Sequence, residues 1–239
     1  MKEDAVMIYN SRYVFPNCYK YKKEISQIKN INRLFAFPNI PTFDNEALVI
    51  LDSGAFALSQ SKKKMTSKYM FELSEYYHKY SKEYNNILCI SPDVFKNPFA
   101  SINNIKKWRH YNLYKNITPV LQNSQSLLID KDELIYQVDF YTSLGYKTLC
   151  YSIFSANGIL HKQQNIEEVF LYAKEKGIEY IHCLGAGWSL EDIKVWLEIK
   201  GWDTMDSIAY YTTKNINEFG SLNPIKNIYS ILNMLDLYN

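Results

Sequence analysis

The sequence predicts an α/β protein on a parallel sheet, as a single (β/α)8 barrel that is small and open to irregularity. Three observations point there. Short apolar runs alternate with segments of helical periodicity at roughly 30-residue spacing, the repeat of a strand–helix–strand unit. About seven or eight such runs fit into the 239 residues, which suits a barrel. The runs also end abruptly in polar residues: Val49-Ile50-Leu51 gives way to Asp52-Ser53-Gly54-Ala55-Phe56. A strand buried on both faces reads as a continuous apolar stretch, so its polar end marks a mouth or loop. No Pro-, Gly- or Ser-rich stretch divides the chain, and residues 1–239 are expected to form one domain. A doubly wound open sheet is the alternative. The phosphate-cradling patterns GxGxxG and GxxxxGK[ST] are absent, which weakens its nucleotide-binding form.

In chain order, Ala5–Tyr9 is a short strand candidate, and the Tyr-, Lys- and Asn-rich stretch to about Asn32 has no clear pattern. Arg33–Phe37 is either a strand or part of the barrel mouth, and Ala47–Leu51 is a strand. Lys62–Lys64 falls in the loop that follows. Helical spacing of Tyr69, Met70, Leu73, Tyr76, Tyr77 and Tyr80 predicts a helix over Thr66–Tyr84. Asn86–Ser91 is a strand ended by Pro92-Asp93, Ser101–Tyr114 a helix, and Ile117–Leu121 a strand ended by Gln122. Asp130–Leu144 is a helix stopped at Gly145, Tyr146–Phe154 a strand, and Ile166–Lys176 a helix stopped at Gly177. Ile178–Leu184 is a strand ending in Gly185-Ala186-Gly187. Ser189 with Glu191 and Asp192 marks a helix start, and that helix runs to Lys200. Met205–Tyr210 is the last clear strand, and Asn223-Pro224 introduces a final helix to about Leu237.

Composition narrows the function classes. Hydrophobic residues make up 47% of the chain, enough for a sizeable core, yet no apolar run approaches a bilayer span. The N-terminus lacks an apolar signal segment, so a cytoplasmic setting is expected. Cys18, Cys89, Cys150 and Cys183 are scattered with no CxxC pair, and the four histidines show no ligand spacing. No metal or other cofactor is therefore expected. His182, in a strand beside Cys183, fits a hydrogen-bonded core histidine better than a ligand. A net charge of +2 does not by itself indicate nucleic acid. Lysine clusters at 20–23, 62–64 and 106–109 suit solvated faces as well as phosphates.

In a barrel, the residues just past the C-terminal strand ends surround one pocket. Those residues include Asp52, Ser53, Asp93, Gln122, Gly185–Gly187 and Asp206. Asp52 or Ser53 could simply cap the next helix. A second acid-edged strand, Trp202 to Tyr210, argues for more than a cap. Several acids without a Ser/His or Cys/His pair suit two-carboxylate chemistry at an anomeric carbon. One acid attacks C1′ while the other moves a proton. Residue types alone leave glycan and nucleoside both open.

Four segments, in order, resemble the tRNA-guanine transglycosylase superfamily. Asp52-Ser53-Gly54-Ala55-Phe56 resembles its DSGGF motif, and Pro119-Val120-Leu121-Gln122 its strand ending in a base-reading glutamine. Cys183-Leu184-Gly185-Ala186-Gly187 with Glu191-Asp192 resembles LMGVG-x-P-E-D, and Gly201–Ser207 resembles GVDMFDC. The resemblance implies Asp206 as nucleophile and Asp52 as general acid/base. It implies Asp93 and Gln122 at the base edge, Ser53 ordering the pocket, Gly185, Ala186 and Gly187 lining it, and Phe56 packing on the base. The family's CxCxxC…H zinc site is absent, and its PTRNARNG-like stretch is replaced by Tyr210–Asn215. The chain is thus more similar to the short zinc-free relatives of phages and bacterial DNA-modification clusters. The implied partners are DNA, with tRNA as the alternative, and a free 7-deazaguanine base such as preQ0 or preQ1. A phage-encoded copy would act in the host cytoplasm. Lys62, Lys63 and Lys64 are the expected phosphate contacts, and residues 10–32 are a candidate docking surface. A non-catalytic accessory subunit and a base-excising glycosylase are the rival readings.

Overall fold

The computed structural model describes residues 12–16, 32–41, 48–84, 86–124, 130–152, 163–185 and 190–206, with Asn227, Ser230, Ile231 and Asn233 beyond them. The strand expected at Ala5–Tyr9, most of residues 10–32, Ala186, Gly187, Ser189 and the segment after Asp206 to Asn215 lie outside these. So does most of the final helix, whose four described residues are helical, with Asn227 and Ile231 buried.

The strands are β1 (Tyr13–Pro16), β2 (Asn32–Ala36), β3 (Val49–Asp52), β4 (Ile87–Ile90), β5 (Ile117–Thr118), β6 (Val120–Leu121), β7 (Thr148–Ser152), β8 (Tyr180–Leu184) and β9 (Thr204–Asp206). The helices are α1 (Ala55–Gln60), α2 (Ser67–Glu83), α3 (Pro98–His110), α4 (Lys131–Ser143), α5 (Gln163–Glu175) and α6 (Leu190–Glu198). None of the described helices is long and apolar enough to cross a membrane. Polar caps set several helix starts: Thr66 accepts from the Tyr69 N–H, Asn97 from Ala100 and Asp130 from Glu133.

All the pairings are parallel, in the order β5-β4-β3-β2-β1-β9-β8-β7-β6. The two edges, β5 and β6, are consecutive pieces of the single strand expected at Ile117–Leu121, parted at Pro119. Ser91 N–H donates to the Thr118 carbonyl at 2.8 Å on one side. Cys150 N–H donates to the Pro119 carbonyl at 2.7 Å on the other. The sheet therefore curls into a nearly closed barrel with its seam at a proline, which has no N–H to give. Just past the seam, the Gln137 side chain of α4 takes the place of a strand neighbour. It accepts from Gln122 N–H at 2.9 Å and donates to the Gln122 carbonyl at 2.8 Å.

Side chains alternate across the barrel wall. Outward residues Leu121, Leu149, Tyr151, Ile181, Cys183 and Met205 pack under α3 to α6. Phe35, Val49, Leu51, Cys89 and Ile117 pack under α2 and Trp108. The inward set is Val14, Leu34, Leu48, Ile50, Ile90, Val120 and Cys150. Two short elements differ from expectation. β1 lies inside the unpatterned Tyr- and Lys-rich stretch. α1 intervenes between Asp52 and the lysines, which occupy the exposed turn after it.

Candidate active site

The C-terminal ends of β3, β4, β7, β8 and β9 converge on a cavity of about 150 Å3. Its wall is formed by Leu34, Asp52, Ala55, Phe56, Asp93, Phe95, Ser152, Leu184, Gly185 and Asp206. That is smaller than the ~300–1,000 Å3 of sites for drug-sized ligands and suits one compact ring system. A larger cleft of about 890 Å3, between the C-terminal half of α2 and residues 112–116, lies at the other end of the strands. It holds none of Asp52, Asp93 and Asp206.

Asp52 closes β3 because the strand's inward alternation, Leu48 then Ile50, brings residue 52 to the barrel mouth. The chain turns sharply behind it. Gly54 has φ +75°, and an added Cβ would meet the Tyr69 hydroxyl at 2.8 Å and the Phe37 carbonyl at 3.0 Å. Only glycine fits that turn. Gly54 N–H reaches Asp52 Oδ2 at 3.3 Å. Burial pushes the Asp52 carboxyl up to about 7, helped by the nearby charges of Asp93 and Asp206 and opposed by the Gly54 and Ser53 N–H groups.

Asp93 sits beside it, gripped from two sides. Ser53 Oγ donates to Oδ1 at 2.8 Å, and Gln122 Nε2 donates to Oδ2 at 2.5 Å. Burial raises its carboxyl to about 6, while these donors pull the other way. Gln122 is fully buried and off the cavity wall, and its carbonyl end accepts from Lys96 N–H at 3.0 Å. Ser53 is likewise fully buried. Both residues act on the cavity through Asp93.

Asp206 stands across from this pair, at the end of β9. His182 Nε2 lies 3.1 Å from Oδ1, and Gly185 N–H donates to the same oxygen at 3.0 Å. Phe56 and Phe95 meet edge to face at 5.4 Å on the cavity wall, and Phe56 is 44% exposed. A half-exposed aromatic beside a small cavity offers a stacking face. Lys62, Lys63 and Lys64 are exposed and do not line the cavity. Among the described residues no group of three or more His, Cys, Asp or Glu is arranged to hold a metal ion. Cys150 and Cys183 are buried, and that burial raises their thiols well above the ordinary range.

The structure thus brings Asp52, Phe56, Asp93, Gly185 and Asp206 to one cavity and places Ser53 and Gln122 directly behind Asp93. Sequence reasoning passed over Leu34, Phe95, Leu184 and the contact of His182 with Asp206. Strand alternation carried a signal for the last: 182 and 184 share a face, as do 204 and 206. Three acids and a serine, with no basic side chain among the described residues of the wall, suit a small planar ligand rich in N–H donors.

No model of a known protein family matches the chain, and a search of curated proteins finds no match.

Proposed function

We propose that this protein is a base-exchange transglycosylase that replaces guanine in a polynucleotide, DNA in preference to tRNA, with a 7-deazaguanine such as preQ0 or preQ1. The observation that carries the reading is one small cavity in which Asp52, with its carboxyl near 7, faces Asp206, whose Oδ1 takes the Gly185 N–H and lies 3.1 Å from His182 Nε2. The motif resemblance assigns the same two residues the same two tasks. Taking β5 and β6 as one interrupted strand, we read the scaffold as a (β/α)8 barrel, which carries its chemistry at this end.

In the reaction, an Asp206 oxygen attacks C1′ of the target nucleotide. The C1′–N9 bond breaks, its electron pair leaves with guanine, and protonated Asp52 supplies the proton. The sugar is then held as an ester of Asp206. Asp52, now a carboxylate, takes the N9 proton of the incoming deazaguanine as that nitrogen attacks C1′ and releases Asp206. Atoms and charge balance without ATP. A carboxyl near 7 suits a group that must first give and then accept a proton. Asp93, braced by Ser53 and Gln122, is placed to accept from the base's N–H edge, and Phe56 and Phe95 to pack on its face. A base inside a duplex has to be extruded to enter. Exposed Lys62–Lys64 would hold phosphates without reading sequence. The preference for DNA rests on the missing zinc element and the altered stretch after Asp206. A nucleic-acid substrate of this kind implies a cytoplasmic setting.

The test is exchange. DNA or tRNA carrying labelled guanine is incubated with the protein and free preQ0 or preQ1. Label release matched by deazaguanine incorporation is expected. Retention of label with both polynucleotides overturns the reading and favours an accessory role. Release without incorporation makes the protein a glycosylase. Nucleoside mass spectrometry on separately digested DNA and tRNA then decides the acceptor. Deazaguanine found only in tRNA, in a host lacking its own tRNA enzyme, overturns the DNA assignment alone.

A further inference from the structure

We propose that His182 is the positioning residue of Asp206, holding one carboxylate oxygen through Nε2–H while Thr204, backed by Tyr180, engages its other ring nitrogen. The proposal rests on the reading of Asp206 as the nucleophile.

The interior beneath Asp52 is apolar, with Leu34, Leu48, Ile50 and Ile90. The interior beneath Asp206 holds a file of polar side chains instead. Tyr180 Oη lies 2.5 Å from Thr204 Oγ1, and Thr204 Oγ1 lies 2.8 Å from His182 Nδ1. His182 Nε2 completes the file at Asp206 Oδ1. His182 has no solvent exposure and does not line the cavity, so it reaches a substrate only through Asp206.

Counting protons gives the file a direction. Neutral imidazole carries one N–H. If it sits on Nε2, it donates to Asp206. Nδ1 then accepts from the Thr204 hydroxyl, whose oxygen accepts from Tyr180, and every contact has one donor and one acceptor. If it sits on Nδ1, the Nε2 lone pair faces Oδ1 unless that oxygen carries a proton of its own. Gly185 N–H already donates to Oδ1. The Nε2–H arrangement is therefore the one that matches a carboxylate.

Two donors on a single oxygen fix both the position and the plane of the carboxylate. Among the described residues no donor reaches Oδ2, which is left to attack C1′. A nucleophile displaced by about 1 Å costs on the order of 10²-fold in rate, so the benefit belongs to the chemical step and not to base binding.

The experiment uses the full-length protein, His182→Leu, His182→Gln and Thr204→Val. The glutamine amide places an N–H donor close to where imidazole Nε2 lies, whereas leucine removes it at similar bulk. Two readouts are taken: the rate of covalent adduct formation with a guanine-containing polynucleotide, and KM for preQ1. His182→Leu is expected to slow adduct formation about 10–100-fold, with KM changed less than about twofold. His182→Gln is expected to recover most of the loss, and Thr204→Val to fall between. Nitrogen NMR of histidine-labelled wild-type protein, assigned by the signal missing in His182→Gln, is expected to show the Nε2–H tautomer. Equal losses in the Leu and Gln variants, a change in KM alone, or an Nδ1–H tautomer each overturn the proposal. Wild-type protein that shows the Nε2–H tautomer but forms no adduct with DNA or tRNA supports the pairing and rejects the transglycosylase reading instead.

Discussion

The two carboxylate-bearing walls of the cavity are made of the same residue type and behave differently. On one wall Asp52 and Asp93 crowd each other above an apolar interior, and both carboxyls are raised, to about 7 and about 6. On the other, Asp206 ends a polar file, with the Gly185 N–H and His182 Nε2 both at one of its oxygens. Burial and the mutual charge of neighbouring acids favour the protonated form on the first wall. On the proposed mechanism, that wall moves the proton and the other attacks.

The largest expected effect comes from breaking the Asp206 wall. Asp206→Asn keeps the shape but cannot form the ester, so adduct is expected to vanish on denaturing gels and exchange to fall by about 10⁴-fold or more. Near-normal exchange in this variant would place the nucleophile elsewhere.

Asp52→Asn comes next, with an expected loss of about 10²–10³-fold in exchange. It also sharpens the contrast through pH. Protonated Asp52 serves the leaving guanine, so the wild-type rate of adduct formation should decline as pH rises through about 7. The asparagine variant should lack that decline, and stopped-time adduct assays from pH 5 to 9 check it.

Asp93→Asn tests whether the acids on one wall act on each other. Removing its charge removes the second largest cause that raises Asp52. The midpoint of the decline is expected to move below 7, with an accompanying loss of roughly tenfold in kcat/KM. An unmoved midpoint would mean that Asp93's charge does not reach Asp52.

The smallest effect is on stability. The folded-state value for Asp52 lies above its unfolded value, so between about 4 and 7 the native state keeps a proton that the unfolded chain has lost. Wild-type stability from this group should therefore fall as pH rises across that window. Asp52→Asn should be more stable than wild type at pH 8, by about 1–3 kcal/mol, and no more stable at pH 4. Urea unfolding at the two pH values measures both.

Much of the fold was legible because buried parallel strands write themselves as apolar runs with polar ends. Ile87–Ile90, Thr148–Ser152 and Tyr180–Leu184 lie within the expected segments, and Val49–Asp52 runs one residue past its expected end at Leu51. β1 was not legible, since four residues in a Tyr- and Lys-rich stretch carry no period, and α1 is too short to show one. The split at Pro119 was hidden because Ile117–Leu121 is apolar throughout. At the site, Asp52, Asp93 and Asp206 could be gathered because each ends a strand. The partnership of His182 with Asp206 needs the β8–β9 register, His182 opposite Thr204, which no single stretch of sequence contains. His182 is the hydrogen-bonded interior histidine that its strand setting implied, and its partner is the carboxylate across the register.

The amide of Gln137 has a further consequence, visible on the timescale of hydrogen exchange. Ser91 and Cys150 N–H are protected by strand carbonyls on either side of the seam, whereas Gln122 N–H is protected by a helix side chain. Amides sharing a cooperative unit exchange together. Gln122 should therefore exchange with the amides of α4, while Ser91 and Cys150 follow the barrel. A brief lifting of α4 should then loosen Gln122, one of the two donors on Asp93, while Ser53 and the barrel stay in place. Half of the constraint on an acid at the mouth is then only as durable as the docking of one outer helix.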